Sequence, residues 1–301
     1  MNDEKRFHRL SDSVIGTALF LLVVSFFSSG IDVQIGKCLC LLTQDERMLH
    51  IILYAEFIGD WLVCLLLMCC IKRDRVFFRK LGRQSDNSSK YAVFGALAGF
   101  GMNGVCVLAT VLRQDITLTY KGENILLLLL CFAAVCIQAG AEELLFRLYG
   151  YQKLKRGCKN EFLAAVVPAV AFSLSHVFNS GVALLPLVNI VLIGVFYGLA
   201  IYYLDSLWFC ILHHTLWNYT QNILFGLPNS GFVSALSMFR LDAAAAKDSF
   251  CYNTAFGVEG TLLCSSVITA GIALLILFGR RVREKRLAKE KLIGINDKSD
   301  V

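Results

Sequence analysis

Prolines and charged residues are both scarce in this chain. Three prolines occur among 301 residues, and 17% of the residues are charged, whereas an average soluble domain carries about 25%. So few prolines leave no room for a proline-rich linker. Low charge, 56% hydrophobic residues and a mean hydropathy of +0.62 exclude an ordinary soluble domain. The sequence therefore predicts an all-α, polytopic membrane protein.

Two sequence patterns of common catalytic sites are also missing. The chain has twelve cysteines, but none are spaced as Cys-x-x-Cys, so a zinc site made of thiolates has little support. Most of these cysteines lie inside apolar runs, where a free thiol behaves as a small hydrophobic group. No serine sits in a Gly-x-Ser-x-Gly setting, and no aspartate is placed to orient a histidine, which argues against a serine hydrolase.

Apolar runs long enough to span a membrane dominate what is present. There are eight, at about residues 13–30, 50–71, 91–112, 124–150, 161–178, 182–204, 207–225 and 258–279. We expect residues 1–123 to form an N-terminal region of three spans and residues 124–225 a membrane core of four. Residues 226–301 should then supply an outer loop, the last span and a basic tail.

The net charge of +6 is explained by topology rather than by a nucleic-acid partner. The basic residues cluster in short segments between apolar runs, and eight spans with both termini in the cytoplasm place every such segment on one side. We expect a multi-pass membrane protein that contacts lipid and does not bind nucleic acid, and the compactness of the chain favours a bacterial plasma membrane.

Two groups of ionisable residues lie inside these runs, where each charge costs on the order of 2.5 to 3.5 kcal/mol. Glu56 and Asp60 of the second run are four residues apart, which predicts one helical face. They form either an intramembrane pair or, as we prefer, a polar face inside the bundle. The second group is Glu142, Glu143 and Arg147, near the end of the fourth run.

The second group has a spacing that separates its two carboxylates. Residues four apart share a helical face, so Glu143 and Arg147 should form an ion pair. The acid comes before the base, which is the order that stabilises a helix more. Glu142 points elsewhere and is left free as a general base. The alternative is an interfacial Glu-Glu-Arg group whose side chains reach toward the lipid head groups.

Histidines follow on the next helices. His176 ends the pattern Phe172-Ser-Leu-Ser-His176, and it is as far from residue 159 as Glu142 is. A helical hairpin turning there would bring both to one level, each about 25 Å from the turn. On the seventh run, His214 and Asn218 share a face and can donate hydrogen bonds to an oxyanion.

Together these residues are suited to hydrolysing an amide bond. Glu142 and His176 would activate water, and His214 and Asn218 would receive negative charge. Alternatively, Glu142, His176 and His214 would bind a divalent metal such as zinc, which would acidify the water. Spacing does not decide between the two mechanisms.

The three motifs resemble those of the CPBP intramembrane proteases, which include CAAX prenyl endopeptidases and bacteriocin-processing proteins. They read Glu142-Glu143-Leu-Leu-Phe-Arg147, Phe172-Ser-Leu-Ser-His176 and His214-Thr-Leu-Trp-Asn218. The resemblance implies a helical membrane endopeptidase, with Glu142 and His176 activating water and His214 and Asn218 as oxyanion donors. His214 would instead be a metal ligand in a metalloprotease mechanism.

Under this resemblance Glu143, Arg147 and Phe172 support the site, and the substrate is a peptide or a membrane protein, such as a bacteriocin leader. Two hypotheses from other classes remain: a non-catalytic bacteriocin-immunity or scaffold protein, and a transporter in which buried Glu and His side chains relay protons.

Overall fold

The computed structural model describes residues 10–82, 88–158 and 160–292. Some basic residues used to predict the topology lie outside this part of the chain, among them Lys5, Arg6, Arg83 and Lys159. The cytoplasmic location of both termini therefore stays a prediction.

The described chain is built almost entirely from helices. They are α1 (Val14–Cys40), α2 (Glu46–Ala55), α3 (Ile58–Cys70), α4 (Val76–Gly82), α5 (Ser88–Leu112), α6 (Ile125–Glu143), α7 (Tyr151–Gly157), α8 (Glu161–Ser175), α9 (Leu184–Leu204), α10 (Leu207–Asn218) and α11 (Leu262–Leu292). Two π-helical segments, Leu144–Gly150 and Tyr219–Leu224, continue α6 and α10. Short 3-10 helices cover Lys72–Arg75 and Val258–Gly260.

Each of the eight apolar runs becomes helical, which confirms a polytopic helical bundle. Within the described residues, six helical stretches are long and apolar enough to cross a membrane: Val14–Cys40, Glu46–Cys70, Ser89–Leu112, Ile125–Gly157, Leu184–Leu204 and Leu262–Lys289. The fifth run forms only the 15-residue helix α8, and the seventh is α10 followed by its π segment. The count of eight spans therefore stays a prediction.

The second run has a short break, so Glu56 and Asp60 do not lie in one regular α-helix, although both side chains line the same cavity. Helix α2 ends at Ala55 and α3 begins at Ile58. The interruption turns the backbone N–H of Asp60 toward another helix, where it donates to Oδ1 of Asp32 in α1 at 3.0 Å.

Capping side chains fix where the helices around the central hairpin begin. Asn124 accepts hydrogen bonds from the N–H groups of Leu126 and Leu127, so α6 begins at Ile125. Asn160 caps α8 in the same way through Phe162. Between them, the chain runs without a break from α6 through the π segment into α7.

Glycines allow α5 to approach α10 closely. A Cβ atom on Gly95 would lie 2.3 Å from the carbonyl oxygen of Phe209, and one on Gly99 would lie 2.2 Å from that of His213. Such approach is typical of small residues at membrane helix interfaces. By contrast, Gly101 and Gly104 have nothing within 4 Å of that position.

A small two-stranded sheet joins two loops at one end of the bundle. Strand β1 (Leu118–Tyr120) pairs antiparallel with β2 (Phe239–Leu241), and Thr119 lies opposite Arg240. The sheet ties the loop after α5 to the long connection between α10 and α11. That connection reaches back to the centre of the bundle, where it forms part of the candidate site.

Candidate active site

Five of the predicted site residues line a single cavity of about 370 Å³ within the bundle. They are Glu142, Phe172, His176, His214 and Asn218. The cavity walls come from α1, α2, α3, α6, α8, α9, α10, α11 and the connection that follows the second π segment. The helical hairpin therefore does bring Glu142 and His176 to one space, as their equal distance from residue 159 predicted.

Glu143 and Arg147 form the expected i, i+4 ion pair behind this cavity. The Nε of Arg147 lies 3.2 Å from Oε2 of Glu143, and the two side chains are 1% and 0% exposed. The guanidinium carbon lies 4.3 Å from the ring centre of Phe172 and 5.1 Å from that of Tyr197. One carboxylate and two aromatic faces thus compensate a buried positive charge.

His214 lies between the two carboxylates. Its Nδ1 is 3.0 Å from Oε1 of Glu143, and its Nε2 is 3.6 Å from Oε2 of Glu142. Carboxylates accept hydrogen bonds, so Glu143 fixes the proton on Nδ1 and the orientation of the ring. Glu143 therefore binds His214 as well as Arg147. Sequence spacing predicted the contact with Arg147 but not the one with His214.

His176 is held by backbone rather than by Glu142. It is the C-cap residue of α8, and its Nδ1 lies 2.8 Å from the carbonyl oxygen of Phe172. A carbonyl oxygen only accepts, so Nδ1 carries the proton and Nε2 of the neutral ring is an acceptor. In the described part of the chain, no hydrogen bond or ion pair joins His176 directly to Glu142.

Asn218 has its amide oriented from both sides. Its Nδ2 donates to Oε1 of Gln138 at 3.0 Å, and its Oδ1 accepts from Nδ2 of Asn229 at 3.3 Å. Gln138 also hydrogen-bonds to Glu142. A polar chain therefore links Asn218 to the carboxylate through Gln138, and the second N–H of Asn218 is left for another acceptor.

Sequence reasoning missed three polar residues of this site. Gln138 precedes Glu142 by four residues, so helical periodicity places it on the same face. Asn229 and Glu259 come from the outer connection, which has no periodic pattern to indicate them. Glu259 accepts from Nε1 of Trp217 at 3.0 Å, from Nδ2 of Asn229 at 2.9 Å and from the N–H of Ser230 at 3.0 Å.

The donor groups do not form the metal site considered above. Within residues 10–82, 88–158 and 160–292, no three His, Cys, Asp or Glu side chains are grouped so as to hold a metal ion. Glu142, His176 and His214 share the cavity without assembling as a ligand set. The three residues therefore do not fit a bound zinc ion in this arrangement.

The similarity of this chain to known proteins lies in the segment that contains the candidate site. Residues 124–220 match the family model described as Type II CAAX prenyl endopeptidase Rce1-like. A search of curated proteins finds no match. The matched segment runs from the cap of α6 into the second π segment and contains all seven predicted site residues. The match confirms the family resemblance. It indicates that the chain is a protease and that it is itself a multi-pass membrane protein.

Proposed function

We propose that this protein is an intramembrane endopeptidase that hydrolyses a peptide bond with water activated by Glu142. The match of residues 124–220 to CAAX endopeptidases supplies the reaction class. The observation that carries the assignment of residues is the cavity where Glu142, His176, His214 and Asn218 meet. We further place the protein in the bacterial plasma membrane, as the sequence predicts.

Water activation is assigned to Glu142, assisted by His176. Oε2 of Glu142 has no hydrogen-bond partner among the described side chains, so it is available to a water molecule. Glu142 takes a proton as the water oxygen bonds to the carbonyl carbon, and later gives that proton to the leaving amine as the C–N bond breaks. Nε2 of His176 accepts the second hydrogen bond of the water.

The developing oxyanion is assigned to His214 and Asn218. His214 donates Nδ1–H to Glu143, so Nε2 faces the cavity. Nε2 donates to the oxyanion when the ring is an imidazolium, and the carboxylates of Glu142 and Glu143 on either side stabilise that charge. Asn218 is held by Gln138 and Asn229. Donors held in place before reaction stabilise developing charge without reorganisation, and each is worth about 10²- to 10³-fold in rate.

The substrate is proposed to be a membrane-associated peptide or protein whose scissile bond lies at membrane depth. The name of the matched family points to prenylated peptides, whereas nothing in the match points to a bacteriocin. The immunity or scaffold alternative, in which the site is not catalytic, gains no support from the polar network around Glu142.

The test compares variants of the purified full-length protein in liposomes on a farnesylated CAAX peptide. We expect Glu142→Gln and His176→Ala each to lower cleavage by about 10²- to 10⁴-fold while thermal unfolding shows a folded protein. Glu123→Gln, a carboxylate outside the cavity, is the control and should cleave normally. Full activity in Glu142→Gln would contradict the proposed mechanism.

A further inference from the structure

Three acidic side chains lie together where α1 meets the interrupted second run. Asp32 of α1 is 3% exposed, and Asp60 of α3 is 8% exposed. They are joined by the hydrogen bond from the Asp60 backbone to Asp32 and interact electrostatically, and the charge of Glu56 also acts on Asp32. We refer to Asp32, Glu56 and Asp60 as the acidic cluster.

The acidic cluster has no positive partner within the chain as described. In the described residues no ion pair joins any of its members to a Lys, Arg or His, and Oδ2 of Asp32 and Oδ1 of Asp60 accept no hydrogen bond from an amide, hydroxyl or basic group. The carboxyl groups of Asp32 and Asp60 hydrogen-bond to each other across the cluster. His50, an imidazole in the same cavity wall, bonds instead to Oδ1 of Asn222 at 3.2 Å. Ser28 supplies one hydrogen bond to Asp60.

Two other fully buried carboxylates of this protein are compensated by cations. Glu143 has Arg147, and Asp12 has Lys153 and Arg156. An uncompensated buried carboxylate is costly, so the acidic cluster stands out as a site that lacks its cation.

The backbone around the acidic cluster is shaped to hold the carboxylates. A Cβ atom on Gly59 would lie 2.2 Å from Oδ1 of Asp32, and one on Gly36 would lie 1.8 Å from Oε2 of Glu56. Any side chain at these two positions would displace a carboxylate. These two glycines therefore leave room for the carboxyl groups where they lie.

The acidic cluster also opens into the candidate active site. Glu56 and Asp60 line the same cavity as Glu142 and His214, while Asp32 lies behind Asp60 and holds its backbone. The charges of Asp60 and Glu142 act on each other. A peptide bound for cleavage at Glu142 would therefore present a neighbouring side chain to Asp60.

We propose that Glu56 and Asp60, supported by Asp32, form a specificity subsite that binds a Lys or Arg side chain of the substrate beside the scissile bond. The inference rests on the proposed protease function. An ammonium or guanidinium group would supply the missing positive charge and donate to the carboxylates of Glu56 and Asp60 that line the cavity.

An organic cation fits the acidic cluster better than a metal ion does. A metal such as Ca²⁺ takes six to eight oxygen ligands in a close shell. In the described residues no three acidic or metal-binding side chains are grouped to hold a metal ion. Lys or Arg needs only a few acceptors, and these are what the cavity wall offers.

Binding is tested first, independently of cleavage, with the Glu142→Gln protein in nanodiscs. The probes are two farnesylated CAAX peptides, each with a fluorophore, varied next to the scissile bond to carry either lysine or norleucine. We expect the lysine peptide to bind at least about tenfold more tightly, since a charge-assisted hydrogen bond in a buried site has about this effect. Adding Asp60→Asn should bring the ratio close to one.

Matched variants separate the charge of Asp60 from its effect on folding. Asp60→Glu keeps the charge and should keep a preference for lysine. Asp115→Asn changes a buried aspartate that is bonded to Arg113 and Ser249 away from the cavity, and it should leave the ratio unchanged. Equal binding of the two peptides, or a lysine preference that survives in Asp60→Asn, overturns the subsite. Tight binding of Ca²⁺ or K⁺ in place of lysine selectivity does so as well.

Cleavage of the same peptides by the parent protein distinguishes the two proposals. Lysine-selective binding that needs Asp60, without any cleavage, would keep the subsite and refute the protease. Cleavage that needs Glu142 but is indifferent to lysine would keep the protease and refute the subsite. If both proposals hold, the lysine peptide is cleaved faster than the norleucine peptide, and Asp60→Asn reduces the ratio of the two rates.

Discussion

The Nδ1 atom of His214 lies 3.0 Å from Oε1 of Glu143, so the carboxylate once assigned only to Arg147 also orients an imidazole of the cavity. Glu142 and Glu143 are adjacent in sequence but differ in environment. Glu142 faces the cavity, whereas Glu143 is fully buried between a guanidinium and an imidazole. The two neighbouring acids are therefore suited to different tasks: reaction with water and positioning of His214.

Replacing Glu143 should impair both the site and the fold. In Glu143→Gln the Arg147 guanidinium stays buried without a counter-charge, which typically costs about 3–5 kcal/mol. His214 also loses its ionic partner, and misplacement of a catalytic group by 1 Å can cost about 100-fold in rate. We expect a lower unfolding temperature together with a loss in kcat that exceeds any change in KM.

The shorter acid is the matched control for this prediction. Glu143→Asp keeps the negative charge, so it should retain more stability than Glu143→Gln while still displacing His214. If Glu143→Gln had parental kcat and unfolding temperature, Glu143 would have no positioning role.

Glu259 should hold the outer connection against the site. In Glu259→Gln one carboxylate oxygen becomes an NH2 group, so acceptance is lost either from Trp217 and Asn229, which donate to Oε1, or from Ser230, which donates to Oε2. A buried donor left without an acceptor costs about 1–3 kcal/mol. Because Asn229 also bonds Asn218, we expect slower cleavage, measured as kcat, as well as a lower unfolding temperature.

An exposed acid of the same connection provides the comparison. Asp242 caps the N–H groups of Ala244 and Ala245, and Asp242→Asn should leave kcat unchanged. Equal rates in the parent and Glu259→Gln proteins would show that the contacts of Glu259 do not position the candidate active site.

Periodicity and hydropathy were enough to predict the helices and much of the candidate site. The pairing of Glu143 with Arg147 depends on local spacing, and it survives even though the chain there becomes a π-helix rather than an α-helix. The common depth of Glu142 and His176 follows from a hairpin of two nearly equal arms. These features are local, or depend on chain length alone.

Relationships between distant segments could not be predicted in this way. The contact between His214 and Glu143 depends on how α10 rotates against α6, and Glu259 enters the site from an irregular connection. The break after Ala55 also escaped detection, because the run stays apolar on both sides of it and contains no proline; Gly59 alone does not indicate where a helix stops. The division of the chain into three regions stays a prediction.

Gly99 should be intolerant of even a methyl group. In Gly99→Ala the new Cβ would lie 2.2 Å from the carbonyl oxygen of His213, so α10 must move, and such overpacking typically costs about 1–3 kcal/mol. We expect a lower unfolding temperature and reduced cleavage, since His214 and Asn218 move with α10.

Gly101 lies on the same helix and has open space around it. Gly101→Ala should be neutral or slightly stabilising, because alanine favours a helix over glycine by up to about 1 kcal/mol. Similar behaviour of the two alanine variants would show that the close approach of α5 and α10 is unimportant.

Asp12, just before α1, joins segments from three parts of the chain. It forms ion pairs with Arg73, Lys153 and Arg156. Burial alone would raise the pKa of the Asp12 carboxyl, but these three cations outweigh burial and hold the pKa below its usual value of 3.8. The ionised carboxylate therefore stabilises the folded protein.

The sign of this pKa shift predicts how stability depends on pH. A carboxyl whose pKa is lower in the folded state contributes fully above its unfolded pKa and loses that contribution as pH falls through the folded value. Asp12→Asn should therefore unfold at a lower temperature than the parent at pH 5 to 7, and the difference should shrink once the pH is well below 3.8. Thermal unfolding in detergent across this range measures the difference. The exposed Glu46→Gln variant should show little difference at any pH, and a gap for Asp12→Asn that widened on acidification would refute the ionic role of Asp12.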